Sequence, residues 1–96
     1  MAWYKEEEWP LLLAVSVDAA RMEKTYAEWL AFAQVRYDAL VQKGTPVEKV
    51  IMNVSDMAKW CHEMGQKVDG QGRSAYVAYR LEDKKAAQLR PPFQTA

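Results

Sequence analysis

The longest apolar run is Leu11-Leu12-Leu13-Ala14-Val15-Ser16-Val17, broken only by Ser16 and closed by Asp18. A short run that is apolar at both alternate positions predicts a strand buried on both faces. The same residues also open a helical stripe of Leu12, Val15, Ala19, Met22 and Tyr26, with Pro10 at a first helical position. We prefer the strand and keep a long first helix as the alternative.

Later elements carry clearer signals. Thr25-Tyr26-Ala27-Glu28 has the form of a capping box, in which the threonine oxygen accepts from the amide three residues on and the glutamate reaches back. Tyr26, Trp29, Leu30, Ala33, Tyr37, Leu40 and Val41 then recur at spacings of three and four, until Gly44 and Pro46 end the helix. Val47 to Val54 shows the period-two pattern of a second strand. Ser55 or its neighbour caps a second helix from Asp56 to Met64, with Met57, Trp60, Cys61 and Met64 on one face and Gly65 as its stop. The glycine-rich stretch from Gly65 to Gly72 reads as a loop, with Asp69 as the cap of a third helix running to about Lys85. Arg90-Pro91-Pro92 cannot continue a helix. Residues 1–90 therefore read as one globular domain and 91–96 as a loose tail.

The order strand, helix, strand, helix, helix describes a two-layer α/β domain with a parallel crossover. Two parallel strands leave open edges and a bare face, which globular sheets avoid by pairing or by being covered. Ala2 to Lys5 supplies a third strand, or a second copy of the chain completes the sheet. A homodimer is the favoured expectation, because twofold closure is the commonest solution. If residues 11–17 are helical, the fold becomes mostly α.

Composition narrows the function classes. With 96 residues, half of them apolar, and four Trp and five Tyr, the chain has material for a single core. Thirteen basic residues balance thirteen acidic ones, which removes the field that a nucleic-acid or anionic-membrane binder uses to gather its target. Cys61 is alone, so no internal disulfide forms. Three glutamates precede the apolar run, the reverse of a secretory signal, and the run is too short to cross a bilayer. Cytoplasm is the expected location, with no membrane attachment.

Three constellations carry candidate chemistry, each beside a plainer reading. The carboxyl ends of the two expected strands gather Ser16, Asp18, Asn53, Ser55 and Asp56, where Asp18 and Asp56 together suit a hard cation such as magnesium. The plainer reading is that these residues end a strand and cap a helix. Asp69-Gly70-Gln71-Gly72-Arg73 resembles an anion-binding turn, yet it lacks the further glycine of the dinucleotide fingerprint and the lysine of the phosphate loop. An Asp-capped turn explains it as well. Arg73, Tyr76, Tyr79, Arg80, Lys84 and Lys85 mix rings and cations on the third helix, suited to nucleic acid or to a subunit interface. Trp3, Tyr4 and Trp9 are core, dimer or partner contacts. Cys61 and His62 are helix neighbours about a hundred degrees apart and form no dyad. Cys61 reads as an inert buried thiol, and one Cys with one His cannot build a zinc cage.

No set of titratable residues has the spacing that acyl transfer, glycosyl transfer or zinc hydrolysis needs. The expected function is a small non-enzymatic binding or regulatory module, homodimeric and without a cofactor, acting through protein contacts. A small-ligand or magnesium site at the strand ends, and a nucleic-acid accessory role through the third helix, are the alternatives.

Overall fold

The computed structural model describes residues 1–89, so the expected tail at 91–96 and the domain end at residue 90 lie outside the described residues. Among those residues the chain forms two short strands and four α-helices: β1 (Ala2–Trp3), α1 (Trp9–Val15), α2 (Tyr26–Gln42), β2 (Val50–Ile51), α3 (Val54–Glu63) and α4 (Gly70–Leu89). Single 3-10 turns at Glu6–Glu8 and Ala19–Arg21 precede and follow α1. The architecture is thus mostly helical with a two-stranded parallel sheet, and the mostly α alternative fits it.

Residues 9–15 are helix, which corrects the strand expected at 11–17. Pro10 lies in the first turn, and Trp9 and Leu12, three apart, are buried while Leu11 and Ala14 are exposed. An apolar run satisfies either period; here the burial on one side of a helix decides it. The single long helix is not formed either. Ser16 turns extended, the Val17 amide donates to the Val68 carbonyl at 2.9 Å, and a new helix starts at Tyr26. The strand that pairs with β2 comes instead from the segment Ala2 to Lys5: Ala2 aligns with Val50 and Trp3 with Ile51, in parallel. The second strand is shorter than Val47 to Val54, because α3 already begins at Val54.

Helix ends follow local chemistry closely. Thr25 Oγ1 accepts from the Glu28 amide at 3.2 Å, the threonine half of the capping box. After α2, Gly44 has φ +74°, with Gly44 N–H to Val41 at 3.0 Å and Thr45 N–H to Leu40 at 3.1 Å. After α3, Gly65 has φ +68° and the same two bonds recur, to His62 at 3.2 Å and from Gln66 to Cys61 at 2.8 Å. Both are complete Schellman motifs, which need a residue tolerant of positive φ. The cap of α3 is Asn53, accepting from the Asp56 amide at 3.0 Å, and the Val54 amide is taken by Glu8 Oε1 at 3.1 Å. A carboxylate there also complements the helix dipole.

The core lies where α1, α3, α4 and the sheet meet, and Leu12, Met52, Val54, Met57 and Cys61 are its fully buried side chains. The long α2 buries only Ala33 and is held by rings: Tyr4, Trp9, Tyr26 and Trp29 pack edge-to-face or tilted at centroid distances of 5.4 to 6.2 Å. Trp3 adds Tyr37 at 5.9 Å, and Lys49 Nζ sits 3.9 Å from the Trp3 ring centre. Each such contact contributes modestly beyond area burial, but the set fixes the helix.

Gly72 is buried inside α4, where a Cβ would overlap the Lys67 carbonyl, and its own carbonyl accepts from Cys61 Sγ at 3.8 Å. Intrinsic helix preference alone favours alanine over glycine by about 1 kcal/mol. The overlap reverses the sign. Gly72→Ala is expected to destabilise the fold by roughly 1–3 kcal/mol, whereas Gly70→Ala, which meets only the Arg73 guanidinium at 4.0 Å, is expected to be neutral or slightly stabilising. Urea melts of the two variants check both signs.

Candidate functional site

Arg73, in the first turns of α4, reaches back to the segment that follows α1. Its Nη1 donates to Ser16 Oγ at 3.2 Å and to Asp18 Oδ1 at 2.8 Å, and its Nη2 donates to Asp18 Oδ2 at 2.8 Å. The planar fork matches the carboxylate edge to edge, the strongest geometry for such a pair. Both side chains are largely covered, at 15% and 24% exposure, and so are less screened than a surface pair. The hydrogen bond from Arg73 holds the Asp18 carboxyl below the usual range, against the opposing effect of burial, and the Gly70 backbone adds a smaller pull.

These contacts redefine the expected sites. Asp69 Oδ1 accepts from the Gly72 amide at 2.8 Å and so caps α4, while Gly70, Gly72 and Arg73 form the turn that sequence reads as anion-binding. An anion does sit on it, and that anion is the chain's own Asp18. With residues 9–15 helical, Asp18 is at no strand end, and the reasoning that joins it to Asp56 loses its footing. Both Asp18 oxygens accept from Arg73; Asp56 and Ser55 are exposed in the first turn of α3. Among the described residues no group of three or more His, Cys, Asp or Glu side chains is arranged to hold a metal.

The aromatic candidates divide. Tyr4, Trp9 and Tyr76 are buried in this chain's own core, Trp3 is half-buried, and Tyr79 is 47% exposed beside Trp60 at 5.4 Å. The cations of α4 are largely engaged as well. Arg73 holds Asp18, Arg80 donates to the Ile51 carbonyl at 3.3 Å, and Lys84 pairs with Glu48 at 2.9 Å. Cys61 is buried, which pushes its thiol up, and its neighbour His62 is exposed.

Beside the Arg73–Asp18 pair a cleft of about 440 Å³ opens along α2, lined by Tyr4, Trp9, Trp29, Phe32, Arg36 and Arg73 together with Met1, Met22 and Glu23. An adjoining lobe of about 420 Å³ shares Tyr4, Trp29, Arg36 and Arg73 and continues to Ser74 and Val77 on α4. The Tyr4 phenol is pushed up to about 12 by burial, so it stays protonated here. Trp9 carries the one buried side-chain nitrogen or oxygen without a hydrogen-bond partner among the described residues, its indole N–H. From sequence Trp29 reads only as part of the apolar stripe of its helix, and Arg36 carries no signal there. Arg36 is one of three charged residues on a mainly apolar helix, beside Glu28 and Asp38, and nothing local links it to Arg73.

The Arg73–Asp18 pair sets an acid response. Because the Asp18 carboxyl titrates lower in the folded chain than in the unfolded one, its contribution is complete above the unfolded value near 4 and is lost as pH falls through the depressed folded value. Asp18→Asn is expected to lower stability at pH 7 by roughly 1–3 kcal/mol and to flatten the acid side of the stability profile. Denaturant melts from pH 2 to 7 measure both. Compared with protein-family models, curated proteins and solved structures, the chain matches none of them significantly.

Proposed function

We propose that this chain is a small non-enzymatic binding module that pairs with a second copy of itself through the outer face of α2. The observation that carries the reading is an apolar stripe turned away from the core. Val35 is 70% exposed and lies with the exposed Ala31 on the face opposite Trp29, Ala33 and Tyr37, while Phe32, 66% exposed, and Ala39 extend that apolar surface along its flank. Large exposed apolar side chains at helical spacing favour contact over solvation, and the small alanines let two helices approach closely. A twofold pairing matches such a stripe with itself. The balance of thirteen basic and thirteen acidic residues leaves no net charge to oppose self-association.

The reading differs from the one sequence suggests in its surface, since most of the aromatic candidates serve the core and α2 supplies the contact. Chemistry at Cys61 is disfavoured by burial and by a thiol held in its protonated form. A nucleic-acid role through α4 has less support, because Arg73, Arg80 and Lys84 are bonded within the chain. No helix among the described residues is long and apolar enough to cross a membrane.

Light scattering on the eluting peak of a sizing column tests the pairing. At micromolar concentration the wild-type chain is expected at twice the monomer mass and Val35→Glu at the monomer mass, with both variants melting cooperatively. A wild-type monomer would falsify the pairing.

A further inference from the structure

The cleft between α2 and α4 is more than a seam between helices. Its floor and walls are aromatic, from Tyr4, Trp9, Trp29 and Phe32, and two guanidinium groups, Arg36 and Arg73, line the stretch common to both lobes. Arg73 is already neutralised by Asp18 on its far side. Arg36 is exposed and forms no ion pair among the described residues. Arg36 thus places an unpaired guanidinium over an apolar floor, and the Met1 amine, which donates to the Glu48 carbonyl, lines the same stretch, a combination that favours an anion attached to an apolar body. Opposite charge comes from Glu23, which lines one lobe and not the other. A second acidic group at that end would be repelled.

We infer that this cleft binds a small aromatic monocarboxylate, its carboxylate on Arg36 and the remaining donors of Arg73 and its ring among Trp29, Phe32 and Tyr4. The volume, about 440 Å³, falls in the range of small-molecule sites. Planar guanidinium groups take a carboxylate in two parallel hydrogen bonds, which gives orientation as well as attraction. Rings offset or tilted on Trp29 and Phe32 supply the apolar share of the affinity. The site lies within one chain; Phe32 borders both it and the pairing surface, whereas Val35 and Ala31, at the centre of that surface, are not among its lining residues.

Titration with phenylacetate, followed by intrinsic tryptophan fluorescence, is the direct test, because Trp9 and Trp29 line the cleft. Saturable quenching is expected for the wild-type chain and for Val35→Glu, with affinity lowered at least about tenfold, or 1.4 kcal/mol, in Arg36→Met. Arg36→Lys keeps the charge without the fork and is expected to fall between them. Arg36 is exposed and outside the core, so circular dichroism of the Arg36 variants should match wild type. Phenethylamine, with the same ring and the opposite charge, and phenylmalonate, with a second acid, are expected to bind more weakly. The assignment is overturned if phenylacetate shows no saturation up to about 10 mM, well above the millimolar limit of weak specific binding. It is overturned equally if Arg36→Met binds as wild type does, or if phenethylamine binds as tightly as phenylacetate.

Discussion

The guanidinium of Arg73 fastens the late part of the chain to the early part, and the placing of the segment after α1 depends on it. Three hydrogen bonds join α4 to Ser16 and Asp18 across 55 to 57 positions of sequence, and the Val17–Val68 backbone bond lies alongside. Apart from that tie the segment between α1 and α2 is held by Met22 against the core, since its 3-10 turn at Ala19–Arg21 contains no buried residue. The pair also occupies the start of α4, where the helix dipole suits a negative charge. One carboxylate thus completes an ion pair and fixes the position of a connection.

The rest divides into a dense part and a sparse one. Around Leu12, Met52, Val54, Met57 and Cys61 the chain packs as an ordinary apolar core, closed by Gly72 against Lys67. Outside it α2 is attached through a ring cluster and one polar bond, from the Tyr26 hydroxyl to the Tyr4 carbonyl at 2.9 Å. Helices held this way keep much of their surface, which is why α2 has both an apolar outer stripe and an inner flank bordering a cleft.

How much of this could be read from sequence depended on how local the deciding forces were. Thr25, Asp69, Gly44 and Gly65 marked helix ends correctly, because caps and left-handed turns are settled within five residues. Residues 11–17 were misread, because a short apolar run satisfies both periods and only the burial of Trp9 with Leu12 on one side chooses. The strand near Ala2 was legible only as a possible completion of the sheet. Asp18 and Arg73 both drew notice, each for a different reason; their pairing is a fact of the tertiary fold and left no trace in spacing. The cleft was invisible for the same cause, since Arg36 and Arg73 meet only when α2 and α4 do.

Cys61 gives this fold a built-in clock. The thiol is fully buried between α3 and the first turn of α4, and it is the chain's single cysteine. A reagent that alkylates thiols meets it only when those helices part, so the labelling rate reports how often that seam opens in the native state. In a chain this short, the interval between openings distinguishes a seam that frays alone from one that opens only when the whole molecule unfolds.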